Sequence, residues 1–316
     1  MGYGQALRRH WWALTLLAAC APVGKPEVVQ PKPTFLMVQV APNGKTLEAI
    51  TPRDLVTQEG TLGRVVQSLP KQGEFEIIQF GKVLASFQTT DLGNSDILGA
   101  ITIFRVEQSQ PELLPQALRR MENLVIVPKG TAPSHSVTYQ YTCPPMIQPL
   151  ILQQGRRYFA ALGARPQWLN QAAIASLVCV DIDLDGQSEM VAGLRLDNPL
   201  RPIGTNEAEW QKFLSRSVLE RQEYSILLLL RRIETGWIAE PILTHTRALA
   251  YLNDSIVSYV LAGAEDLNGD RALELIIREI GLNTVDAHVV APVIEEGKSW
   301  RWQRYYRSDR PLAIVE

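Results

Sequence analysis

The sequence predicts a mainly β protein with a few helices: antiparallel β-meanders, preceded by a β-rich N-terminal region. Three observations predict it. Short segments rich in β-branched and aromatic residues recur along the chain, separated by Gly, Asn and Asp turns. A nine-residue acidic pattern, D-x-[DN]-x-D-x-x-x-E, occurs at Asp181–Glu189 and again at Asp266–Glu274. Each copy runs straight into an apolar segment (Met190-Val191-Ala192; Leu275-Ile276-Ile277) and is followed by further strand and turn signals.

Taken in order, the chain opens with Met1–Trp12, which carries Arg8 and Arg9 and no acid, then a short apolar run from Ala13 to Ala19 and Cys20. This is the pattern of a secretory signal whose apolar stretch is too short to span a bilayer. Leu17-Ala18-Ala19-Cys20 resembles a bacterial lipobox, which implies cleavage after residue 19 and a lipid on Cys20. Residues 20–34, with Pro22, Pro26, Pro31 and Pro33, read as an extended tether off a membrane.

Residues 35–145 read as a β-rich domain. Phe35–Val40 leads into Asn43-Gly44, a hairpin signal. Glu74–Ile78 and Val83–Phe87 flank Gly81, and Ile101–Val106 and Leu124–Val127 are further strands. Asp91-Leu-Gly-Asn-Ser-Asp96 reads as a plain turn, its acids falling at the wrong spacing for a third loop. Residues 146–177 read as helical, with Ile151, Leu152, Phe159 and Leu162 on one side.

The C-terminal domain, 146–316, then repeats a plan. The first acidic loop leads to a strand at Met190–Leu196. A helix near Glu207–Arg221 follows, with a capping box from Asn206 and Glu209 and an apolar face of Trp210, Phe213, Leu214 and Val218. A hairpin, Ser225–Ile233 and Trp237–Leu243, closes the unit. The second loop leads to Leu273–Ile280, Val289–Ile294 and Trp300–Tyr306. Each unit is a β-meander led by an acidic loop, as in a propeller blade; two units cannot close a ring of at least four. The expectation is therefore either an incomplete or open propeller-like assembly, or further blades in the N-terminal half.

Clustered carboxylates repel one another unless a cation sits among them. Ca²⁺ takes six to eight hard oxygen ligands at about 2.3–2.6 Å, and acids at positions 1, 3 and 5 of a loop turn toward one point. The predicted ligands are Asp181, Asp183, Asp185 and Glu189, with the carbonyl of Gln187, and in the second copy Asp266, Asn268, Asp270 and Glu274. A helix-loop-helix site needs Glu at position 12, where this chain has Ala192 and Ile277. The nine-residue form between strands instead resembles the calcium loops of FG-GAP/VCBS repeats, found in integrin-like β-propeller blades and bacterial surface proteins. The resemblance covers the C-terminal half and implies structural Ca²⁺. The first copy fits throughout; the second has Arg271 where Gly is usual, and the arginine's charge can partly stand in for the ion.

Net charge is −2, so no basic field points to nucleic acid. Once Cys20 is lipidated, Cys143 and Cys179 remain, either as a disulfide, as export favours, or as two separate thiols. His135, His245 and His288 lack metal-ligand spacing, and no phosphate-binding or nucleophile motif is present. Trp237, Trp300, Trp302, Tyr305 and Tyr306 suit either a binding face or cross-strand packing. The expected protein is an envelope lipoprotein, anchored to a membrane through Cys20, that binds a protein or polysaccharide partner. An extracytoplasmic hydrolase of cell-wall or extracellular polymer and an envelope-complex assembly factor are the alternatives.

Overall fold

The computed structural model describes residues 36–40, 46–49, 72–98, 101–108, 124–131, 139–140 and 143–307, the last span without 253, 268–269, 283–284 and 295–298. The signal sequence, Cys20, the tether, Asn43-Gly44 and His135 lie outside the described residues.

Six N-terminal strands form a ring: β1 (Leu36–Val40), β2 (Thr46–Ala49), β3 (Gly73–Gln79), β4 (Lys82–Leu98), β5 (Ile101–Gln108) and β6 (Leu124–Pro128). Every pair is antiparallel, in the order β1-β2-β5-β4-β3-β6, and β1 pairs with β6 to close the barrel. Closure removes the free edges that would otherwise pair with another chain. The N-terminal half therefore contributes a barrel rather than further blades. Asp91–Asp96 is not a turn but lies inside the long strand β4, whose pairing slips at Thr89/Asp91 and Leu92/Asn94. Bulges absorb the turn-forming residues without ending the strand.

After β7 (Tyr139–Gln140) comes helix α1 (Gln148–Ala161), then a 3-10 segment at Pro166–Gln171. The helix expected to reach 177 stops at 161, because Gly163 takes φ +95° and Pro166 follows. Ala173–Val180 is strand β8 instead. The first meander continues through β9 (Glu189–Leu196), β10 (Gln222–Ile233) and β11 (Gly236–Ala248), giving a sheet ordered β11-β10-β9-β8-β7. The second is β12 (Ser258–Glu265), β13 (Glu274–Ile280), β14 (Val285–Val293) and β15 (Arg301–Arg307), in sequence order.

Both sheets are covered on both faces, which is why their strands read as apolar runs rather than alternating ones. In β10, Leu227 and Leu229 point inward to the second sheet, meeting Leu261, Leu275, Ile277 and Val290. Ile226, Leu228 and Leu230 point outward, against Ile151 and Phe159 of α1. On the second sheet, Ile276, Ala287 and Val289 pack outward on Ile78, Val125 and Val127 of the barrel. The layers thus run helix, five-stranded sheet, four-stranded sheet, barrel. The two sheets are in tight contact at Gly193, where a Cβ would lie 2.0 Å from the Tyr259 carbonyl oxygen.

Helix α2 (Glu207–Leu214) sits in the connection between β9 and β10, which the second unit lacks. Asn206 Oδ1 caps it, accepting from the Ala208 and Glu209 amides. Trp210 and Phe213 are buried beside Leu249, but Val218 lies beyond the helix and is exposed. Cys143 and Cys179 are joined in a disulfide that ties the approach to α1 to strand β8. Among the described residues, no helix is long and apolar enough to cross a membrane.

Candidate metal centre

The acidic loops occupy equivalent places, each joining the strands that lead its meander: β8 to β9, and β12 to β13. Their internal hydrogen bonds match position for position. The amide of position 2 donates to the position 9 carboxylate: Ile182 N to Glu189 Oε2 at 2.8 Å, Leu267 N to Glu274 Oε2 at 2.6 Å. The amide of position 6 donates to position 1: Gly186 N to Asp181 Oδ2 at 3.0 Å, Arg271 N to Asp266 Oδ2 at 3.3 Å. The amide of position 7 donates to position 5: Gln187 N to Asp185 Oδ1 at 2.7 Å, Ala272 N to Asp270 Oδ1 at 2.8 Å. Position 6 has positive φ in both, +89° at Gly186 and +70° at Arg271. The second loop therefore keeps the bend with a side chain that meets a steric penalty there.

In the first loop, one ligand oxygen from each of Asp181, Asp183 and Glu189 lies within 4.8 Å of the others, a set that could hold a metal ion. Asp185 stays outside this set, its carboxylate occupied by the Gln187 amide and, at 3.4 Å, the Gln187 Nε2. Asp181 is only 7 % exposed, and its Oδ1 has no hydrogen-bond partner. A buried carboxylate oxygen left bare is costly, and a cation is the partner that hard, clustered oxygens suit. Burial, and then the neighbouring acids, push Glu189 from its ordinary 4.5 up to about 8, despite the opposing bond from Ile182. Asp183 is raised too, by burial first and then by Asp185 and Asp181.

The second loop does not assemble such a set among the described residues, and Asn268 lies outside them. Glu274 is nonetheless buried and pushed up to about 8, chiefly by burial, with Asp270 and Asp266 adding to it. The loops are also joined directly: Leu273 N donates to the Ile182 carbonyl at 2.8 Å.

Glu265, just before the second loop, carried no sequence signal. Its Oε2 accepts from Gly81 N at 2.7 Å, and its carboxylate also accepts from the Phe80 amide. Phe80 and Gly81 form the β3–β4 turn, with φ +50° and +68°. The Phe80 ring, 2 % exposed, enters the core between the sheets, and Gln79 Nε2 donates to the Ala262 carbonyl at 3.2 Å. The barrel is thus seated in the sandwich beside the second loop.

The other buried acids are engaged structurally. Glu223 accepts from the Asn198 and Ile256 amides. Asp254 accepts from Ala250 and Ser255 and pairs with Arg247. Glu240 meets Arg231 and the Trp300 amide, and Glu279 lies 2.9 Å from His288 Nε2. Trp300 is buried beneath Arg231 and beside Trp302, so both serve packing; Trp237 is partly exposed at the β10–β11 hairpin. The side chains of Tyr305 and Tyr306 lie outside the described residues.

These features define an antiparallel β protein with a duplicated acidic loop, the first copy bringing together three carboxylates that could hold a metal ion. Compared with known proteins, the chain matches no family model, no curated protein and no solved structure.

Proposed function

We propose that the chain is an exported lipoprotein, anchored through Cys20, whose stacked meanders form an FG-GAP/VCBS-like, propeller-type binding module stabilised by Ca²⁺ at the first loop. The observation that carries this reading is the convergence of Asp181, Asp183 and Glu189 around the bare, buried Asp181 oxygen. Ca²⁺ is favoured over softer metals because every convergent side-chain donor is a carboxylate oxygen. The ion is structural: it neutralises acids that burial otherwise penalises and fixes the loop end of the sandwich for a protein or polysaccharide partner. The lipobox supports the membrane address.

The test is capture of partners from membranes with the tethered protein, in calcium and in chelator, beside calorimetric titration of Ca²⁺ into the purified chain. Calcium-dependent capture with one measurable site supports the reading. Absence of calcium binding at millimolar concentration, where extracellular modules bind, overturns it.

A further inference from the structure

The first loop does not stand alone. Ile182 is fully buried, and both its backbone groups are committed. Its amide bonds Glu189, a member of the convergent acidic set, and its carbonyl accepts from Leu273 N in the second loop. Leu273, also fully buried, is joined in sequence to Glu274, whose carboxylate holds the Leu267 amide. Two residues before Leu267, Glu265 holds the Phe80–Gly81 turn of the barrel. A continuous run of hydrogen bonds and packed backbone therefore connects the metal set to the seat of the barrel.

We propose that occupancy of the first loop by a divalent cation is coupled to the order of the second loop and to the docking of the β3–β4 hairpin. This rests on the calcium reading above. An ion that draws the Asp181, Asp183 and Glu189 oxygens to itself fixes Glu189, and with it Ile182. Ile182 in turn holds the Leu273 amide, which sets the backbone that carries Glu274 and, through Leu267, leads to Glu265. The hairpin tip follows because its two turn amides have the Glu265 carboxylate as acceptor. The coupling is reciprocal, so weakening the hairpin seat lowers cation affinity at the first loop by the same factor.

Hydrogen exchange on the full chain tests this, with Ca²⁺ against chelator and calorimetry in parallel. Wild-type protein should show exchange slowed about fivefold or more, the low end of typical couplings, at Ile182 and also at Leu267, Leu273, Phe80 and Gly81. Asp183→Ala, which removes the ligand oxygen, should lose the protection at all of these amides. Glu209→Gln, at an exposed acid of helix α2 away from both loops, should keep the wild-type pattern at Phe80, Gly81 and Ile182. Protection confined to 181–189, with calcium binding intact, would overturn the coupling and leave the calcium reading standing. No calcorimetric binding at all would overturn the calcium reading itself. Protection that survives Asp183→Ala and vanishes in Asp270→Ala would place the ion in the second loop and overturn the coupling.

Discussion

Asp183→Asn separates an ion-binding role from a merely structural one by the sign of its effect. Asp183 Oδ1 accepts from the Asp185 amide at 3.3 Å, a bond that the Asn oxygen can keep. In the ion-free chain the Asp183 carboxylate is penalised by burial and by Asp185 and Asp181, so removing its charge should hold or raise stability in chelator. With Ca²⁺ the balance reverses. If affinity is about 10⁻⁴ M, as for the tighter extracellular modules, then 10 mM Ca²⁺, about a hundredfold above Kd, stabilises by about 2.7 kcal/mol. For a chain of 316 residues that is a rise in melting temperature of about 4 °C. Calorimetric scans of wild type and variant, each in Ca²⁺ and in chelator, read both numbers. The wild-type rise should shrink by about half in Asp183→Asn, which keeps a ligand oxygen but loses its charge, while its chelator melting temperature stays level or climbs. Equal calcium increments in the two proteins, or a variant less stable in chelator by as much as in Ca²⁺, would refute the reasoning.

The remaining predictions concern pH, packing and the covalent link. Glu189 and Glu274 are raised from 4.5 to about 8 in the folded, ion-free chain, so folding favours their protonated forms. That contribution is full below about pH 4.5 and is lost as pH climbs toward about 8. Melting temperature in chelator should therefore fall across this window while the calcium increment grows, as melts at pH 5, 6.5 and 8 will show. Gly193→Ala places a methyl 2.0 Å from the Tyr259 carbonyl and should cost about 1–3 kcal/mol in urea denaturation; a neutral result would mean the sheets separate freely. Cys143→Ser should lower stability by about 3–4 kcal/mol, the entropy expected for a 36-residue separation, measured against wild type with and without reductant. Phe80→Ala should cost about 3–5 kcal/mol, and urea unfolding followed at the barrel and at the sandwich should show whether the loss is shared.

What could be read from the sequence was local. The duplicated D-x-[DN]-x-D-x-x-x-E pattern located both loops, Asn206 located a helix start and the break between Ile233 and Trp237 located a hairpin, because caps, turns and metal spacings are written in consecutive residues. The stretch Ala173–Leu177 misled: its small and apolar residues suit a helix, and only pairing with β9 makes it a strand. Asp91–Asp96 misled for a related reason, since turn-formers inside a paired strand are accommodated by bulges that depend on the partner, β5. In the site, the convergence of Asp181, Asp183 and Glu189 was foreseen, but the diversion of Asp185 to the Gln187 amide was not. The Leu273–Ile182 bond and the Glu265 seat join residues far apart in sequence, and no spacing rule encodes such contacts.

The disulfide bears on how the chain responds to tension. Cys143 stands just after β7, the first strand of the sandwich, and its partner is at the end of β8. A pull entering from the amino-terminal side can unravel the barrel and then meets a covalent stop before it reaches α1. The span between the two cysteines, a sequence separation of 36 and about 120 Å of extended chain, is removed from the length that force can draw out. Load passes across the cross-link straight into β8 and the first acidic loop, so a stretched molecule would strain its ion-binding end while helix α1 remained slack.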